Sequence, residues 1–262
     1  MSVSTILQLL RGIAVRVLPL VLLVALWWAV VRGFALPSRL MPAPLEVWDR
    51  IYAGLVTQGD LWPHLGTTLA TTLGGYALGT VLAIMLGSVL AMNRVLELTF
   101  YPIVLLIQSV PKVAIAPLVL LWMGFDTRST IVLVALTCFF PVFVGTFIGV
   151  RAAPPVLLDL FRTLNASTFK TYLHCNLPSA AGSIVAGMQV GWGFALVGCV
   201  VMEFIMGMGG AGYLIDNSAN ALDAVTAVAA MVLLGVMGFA GGSILQRARA
   251  RLVFWEGQVR HG

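Results

Sequence analysis

The feature that most constrains this chain is the recurrence of unbroken apolar runs about 20 residues long, the length a helix needs to cross a bilayer's hydrocarbon core. "GYALGTVLAIMLGSVLAM" (75–92) and "IVLVALTCFFPVFVGTFIGV" (131–150) contain no charged residue. Only helices and closed barrels satisfy their backbone in lipid. These runs are continuous rather than alternating, so helices are expected. Composition agrees: 60% of the 262 residues are hydrophobic and 10% are charged, against about a quarter charged in a soluble domain. The expected fold class is an all-α integral membrane protein with about six transmembrane helices, near 17–35, 66–92, 99–122, 129–150, 183–205 and 224–245.

The polar stretches organise the rest. Residues 1–35 read as an N-terminal segment with the first transmembrane helix. Arg11 and Arg16 before Val17–Val31 have the shape of a signal peptide's opening, but "RGFALPSRL" lacks a small-x-small cleavage pattern, so the helix is read as uncleaved. Residues 36–65 form a proline-rich outer, periplasmic-side loop with a short amphipathic piece around Glu46–Leu55. Residues 66–246 form the core, interrupted by a long polar loop at 151–182, and 247–262 form a basic tail. With the N-terminus inside, the cytoplasmic side holds Arg11, Arg16, Arg94, Arg151, Arg162, Lys170, Arg247, Arg249, Arg251 and Arg260. The outside holds Arg32, Arg39, Arg50 and Arg128. Basic residues favour the cytoplasmic side, so both termini and the 151–182 loop are expected there. The same topology accounts for the net charge of +5 without nucleic acid.

The loop reads as two short helices. Pro154 and Pro155 suit the start of the first, Asn165 a left-handed position after its end, and Ser167 the cap of the second, which Pro178 is expected to end. Such a compact unit has the form of a docking surface. An amphipathic helix lying among headgroups is the plainer reading.

This loop resembles the signature of the permease subunits of binding-protein-dependent ABC importers: EAA, three residues, Gly, nine residues, I-x-L-P. Asp159-Leu160-Phe161 stands at the EAA position, Asn165 at the glycine, and Cys175-Asn176-Leu177-Pro178 at the end, with the spacing intact. Leu177 and Pro178 match outright, Asp159 keeps the carboxylate, and Leu160 and Phe161 are bulkier than the alanines they replace. "LPSRLMPAPLEVW", "SVPKVAIAPLVLLWMGF", "FFPVFVGTFIGVRAAPP", "RTLNAS" and "VVMEFIMGMGGAGYLI" resemble the nitrate/sulfonate/taurine branch over about residues 36–246.

The resemblance implies a type I importer fold in the bacterial cytoplasmic (inner) membrane, with a second permease copy, a cytoplasmic ABC ATPase dimer that holds ATP and Mg, and an external substrate-binding protein. Membrane lipid is the remaining partner, and the chain itself is expected to be non-catalytic and to bind no cofactor. It also implies ATPase-coupling roles for Asp159, Arg162, Thr163, Asn165, Ala166, Ser167, Leu177 and Pro178. The expected solute is a small oxyanion such as an aliphatic sulfonate, taurine or nitrate, with an aromatic carboxylate or vitamin-precursor pyrimidine as alternatives. An ATP-independent secondary transporter is the rival from another class, but it would usually use several intramembrane carboxylates.

Other motifs carry little. No G-x-x-x-x-G-K-[ST] occurs, so if transport is active its energy source is expected on another chain. Gly207–Gly212 fits G-x-G-x-x-G but follows an apolar helix rather than a strand, and reads as a tight re-entry turn. His64, His174 and His261 are scattered, Cys138, Cys175 and Cys199 show no ligand spacing, and no metal site is expected.

Lys112 is the anomaly. It lies between Pro111 and Pro117 inside an apolar run, where a lysine costs about 2.5–3.5 kcal/mol on insertion scales. Broken backbone at membrane depth occurs where protein or a wet cavity covers it. Two readings stay open: Lys112 is structural, paired with Glu203 or with carbonyls freed by the prolines, or it faces the pathway. Ser109, Lys112 and Glu203 are accordingly the candidate pathway residues.

Overall fold

The computed structural model describes residues 3–253, with side chains from Leu18 onwards except that of Leu252. All regular structure among these residues is helical. In chain order the helices are α1 (Val3–Gly33), α2 (Pro44–Tyr52), α3 (Leu61–Met92), α4 (Arg94–Ser109), α5 (Lys112–Met123), α6 (Thr127–Arg151), α7 (Pro155–Thr163), α8 (Thr168–Thr171), α9 (Leu177–Met206), α10 (Gly210–Asn220) and α11 (Ala224–Leu252). Wide π-type turns at Ala53–Thr57 and Tyr172–Asn176 follow α2 and α8. Two compact units are formed: one by the described residues up to Trp62 with Leu214–Val232, the other by Pro63–Tyr213 with the residues from Leu233 on.

The core of the larger unit follows from where the small residues fall. Gly75, Gly79, Ala83 and Gly87 recur every fourth residue along α3 and face α6. A Cβ on Gly79 would lie 2.5 Å from the Ala135 carbonyl oxygen, and one on Gly75 2.7 Å from that of Ile131. Gly145 and Gly149 on α6 meet Gly187, Ser183 and Ala180 on α9 in the same way. Lipid supplies no hydrophobic drive between helices, so stripes of small residues that let backbones approach are what packs them. Aromatic groups fill the flanks: Tyr76 meets Trp192 edge-on at 5.4 Å, and Tyr101 stacks on Phe147 at 4.5 Å.

Four stretches among the described residues are long and apolar enough to cross a membrane: α3, α6, Thr168–Met206 and α11. The third expected span is not one helix. α4 and α5 meet at 93°, because Val110 adopts extended backbone before Pro111, as a residue preceding proline prefers. Pro178 does not end a helix either. It occupies the first turn of α9, where its missing N–H costs nothing, and the wide turn Tyr172–Asn176 carries the rod through. The second span starts earlier than expected, at Leu61, and the sixth runs on to Leu252. Arg247, Arg249 and Arg251 therefore sit on the last turns of α11, whereas Arg260 lies outside the described residues.

Candidate functional site

The loop 151–182 is built by local backbone chemistry. Pro155 starts α7, and the helix closes with two bonds: Asn165 N–H to the Arg162 carbonyl (3.0 Å) and Ala166 N–H to the Phe161 carbonyl (3.0 Å). This is the Schellman arrangement, which needs a left-handed residue at its corner. Asn165 supplies it with φ 49°. Ser167 then caps the next turn by accepting the Lys170 N–H at 3.4 Å.

The loop is also tied down. Asn176 donates to the Val150 carbonyl (3.1 Å) at the end of α6, and the Tyr172 hydroxyl bonds Ser88 of α3 at 2.9 Å. Glu97 bridges Arg94 (2.9 Å) and Arg151, joining the start of α4 to the end of α6. Behind the loop lies a cavity of about 490 Å³ whose walls include Met92, Arg151, Leu158 and Arg162. Outward the loop presents exposed Val156, Leu160, Leu164 and Phe169, with the Asp159–Arg162 ion pair (3.0 Å) beside them. Thr163 turns inward on its own helix, donating to the Leu160 carbonyl at 2.8 Å. Leu177 and Pro178, expected in the same group, form the start of α9.

A second polar constellation lies at the far end of α9. Glu203 is 4% exposed. Its oxygens accept the Thr68 hydroxyl (2.8 Å), the Gly212 N–H (2.8 Å) and the Cys199 thiol (3.4 Å), while Thr68 also accepts the Ala211 N–H at 2.7 Å. Together Glu203 and Thr68 satisfy backbone donors of the first turn of α10, which would otherwise be orphaned. The glycines explain the fit: Gly207, Gly209 and Gly210 have φ of 63°, 131° and 95°, and a Cβ on Gly210 would collide with the Glu203 carboxylate. Beside this clamp is a cavity of about 150 Å³ with Thr71, Asp126, Thr130 and Met206 in its walls.

Lys112 is not paired with Glu203, which is fully engaged with Thr68, Cys199 and Gly212. Its ammonium donates to the Gln108 carbonyl, one of those freed by the break, and lies 4.6 Å from the centre of the Phe140 ring. Ser109, three residues earlier and across the break, is exposed and donates back to the Leu105 carbonyl at 3.1 Å. Sequence reasoning missed Thr68, 135 residues from Glu203, as well as Phe140 and the Ser88–Tyr172 link. Only the glycine cluster after Glu203 hinted at the clamp.

Comparison with known proteins places this geometry. Residues 79–254 match the family described as the binding-protein-dependent transport system inner membrane component. The chain is 29% identical to a Bacillus subtilis permease protein named for aliphatic sulfonates transport, SsuC, over 87% of this chain and 83% of that one. It is 32% identical to RibX, the riboflavin transport system permease protein of Chloroflexus aurantiacus, over 90% of this chain and 88% of that one. An inward-facing structure of the MetNI methionine ABC transporter superposes with a TM-score of 0.63 at 18% identity, covering 76% of this chain and 98% of the other, which bears on the fold. The chain therefore belongs to the family of binding-protein-dependent transport system inner membrane components, multi-pass permeases with the type I ABC importer fold.

Proposed function

We propose that this chain, paired with a second copy, lines the pathway of an ATP-driven importer for a small oxyanion of the aliphatic sulfonate or taurine type. The observation that carries the coupling half of this reading is the loop 151–182. It is bonded to α3 and α6 on one side while Val156, Leu160, Leu164 and Phe169 stay exposed on the other. An ATPase engaging that face with Asp159, Arg162, Asn165, Ala166 and Ser167 would move the attached spans as a rigid body. Leu177 and Pro178 would then transmit the movement directly into α9. ATP and Mg reside on that ATPase, the loop and both termini lie in the cytoplasm, and an external binding protein delivers the solute.

The substrate class rests on the sulfonate-named relative and on Lys112. Its ammonium lies at the break between α4 and α5, with Ser109 close by in sequence. An anion passing this point would exchange with the Gln108 carbonyl for the ammonium's donors. RibX favours a second reading, a vitamin-like heteroaromatic solute, for which the Phe140 face rather than the charge of Lys112 would matter.

The test is a mild-detergent pull-down of the tagged chain from native membranes, with an Asp159→Arg/Asn165→Trp variant alongside. A P-loop ATPase that accompanies wild type and not the folded variant is the expected result; equal recovery with both would remove the coupling role of the loop. Any binding protein recovered is then screened by thermal shift against sulfonates and flavins, and a flavin response with no sulfonate response would favour the second reading.

A further inference from the structure

On α2 and the wide turn that continues it, Leu45, Trp48, Tyr52 and Val56 recur at the three- and four-residue spacing that stacks side chains on one helix face. All four are exposed, Trp48 by 64% and Tyr52 by 55%. The helix cannot roll this face inward, because its opposite side is pinned. Val47 is 3% exposed, and Arg50 bonds Asp60 (2.6 Å) and Thr226 (2.9 Å). Gly54 lies so close to Leu61 that a Cβ would fall 2.5 Å from its Cγ. An apolar face held outward in this way needs a cover.

Two observations identify the cover. First, the face is continuous with an apolar groove of about 540 Å³ between α1 and α2, walled by Leu20, Val24, Ala25 and Trp28 on one side and Pro44 and Leu45 on the other. α1 is itself apolar over Leu18–Gly33, and its Leu22, Leu23 and Leu26 are exposed. Second, the residue types are those of a membrane boundary. Trp and Tyr favour the headgroup level, where one end of the ring is apolar and the other wet. Arg32 stacks over Trp28 at 5.4 Å at the end of α1, where the helix leaves the apolar region.

We infer that α2 is an interfacial helix whose Leu45–Trp48–Tyr52–Val56 face is covered by lipid, and that a phospholipid acyl chain occupies the α1–α2 groove. Glu46, about a quarter-turn off this face, remains on the wet side. Glu46 there accepts the Ser38 hydroxyl (2.8 Å) and the Ala43 N–H (2.9 Å), which holds the start of the helix. Lipid in the groove would couple the seat of α2 to the bilayer.

The test uses the assembled transporter in phospholipid vesicles, with nitroxide labels on Leu45→Cys, Trp48→Cys, Tyr52→Cys, Val56→Cys and Glu46→Cys introduced one at a time. Collisions with oxygen are expected to exceed those with a water-soluble nickel chelate several-fold at the four face positions, and the order is expected to reverse at Glu46. Nickel reaching the face as freely as Glu46 would overturn the inference. So would exclusion of both reagents, which would mean a protein cover. Because four positions report one face, a variant that fails to assemble leaves the others to decide. Native mass spectrometry in mild detergent reads the groove: a phospholipid adduct on wild type that is lost in Ala25→Phe is expected, and equal adducts on both, or none on either, would remove the groove assignment.

Discussion

Glu203 and Lys112 look alike in the sequence, each an ionisable residue inside an apolar run, yet the fold treats them in opposite ways. Glu203 is enclosed, with a hydroxyl, a thiol and a backbone N–H all directed at its oxygens. Lys112 sits on a break, half-buried, with one carbonyl and one ring face as partners. The acid is a structural clamp between α3, α9 and the start of α10. The base is left with donors to spare. Burial and the number of satisfied partners, not the presence of charge, separate the two roles.

The sharpest way to break this contrast is Glu203→Leu, which leaves the Gly212 N–H without its acceptor, strips the Cys199 thiol of its carboxylate partner and leaves the Thr68 hydroxyl only the His64 carbonyl at 3.1 Å. Orphaned buried groups cost about 1–3 kcal/mol each, so the variant is expected to lose most of its folded yield, read by size-exclusion of the purified protein. Glu203→Gln, which keeps the shape but turns an NH₂ towards a donor, is expected to fall between. A Leu variant as stable as wild type would end the clamp reading. Gly79→Leu ranks next: its side chain would enter the α3–α6 contact, where overpacking costs about 1–3 kcal/mol, and a lowered thermal midpoint is expected while Gly33→Leu, in open space, leaves it unchanged.

On the other side of the comparison, Lys112→Met is expected to change stability by no more than about 1 kcal/mol, the scale of an exposed cation–π contact. Solute uptake by the reconstituted transporter is expected to fall by about tenfold, with Lys112→Arg intermediate. If Lys112→Met instead unfolds the protein, the base is as structural as the acid and the contrast disappears. Asn165→Val places a β-branched side chain at a left-handed corner and is expected to weaken ATPase recovery, whereas Asn165→Gly should retain it.

The smallest effect concerns Asp223, in the turn before α11. Burial acts to raise its carboxyl pKa, but hydrogen bonds from the Thr226 side chain and backbone, with the Arg50 charge, outweigh it and hold the group below the usual carboxylate range. A lowered folded pKa contributes stability that is present above the unfolded value and is lost as pH falls through the folded one. Hydrogen exchange at the start of α11 is therefore expected to quicken only below about pH 4, near the ordinary value for Asp, and Asp223→Asn should flatten that response.

Much of the loop was legible beforehand because its conformation is local. Pro155, Asn165 and Ser167 each impose a backbone state on their own neighbours, and the structure places all three as those states require. The spans were legible as apolar length, with errors at their edges: hydropathy does not register that α3 starts in the proline-containing stretch from Leu61, or that α11 extends through three arginines. Pro178 was misread because a proline's effect depends on whether it meets the first turn of a helix or its interior, which the residue itself does not state.

The sequence by itself determined that this is a helical membrane chain and where its loop turns, since these follow from apolar length and from steric limits on single residues. Only the tertiary structure decided that the glycines of α3, α6 and α9 face one another, that Thr68 finds Glu203, and that Lys112 does not. Those outcomes depend on which helix faces come together between residues far apart in the chain, 135 positions in the case of Thr68 and Glu203, and a pairwise bond between distant side chains leaves no local mark on either of them.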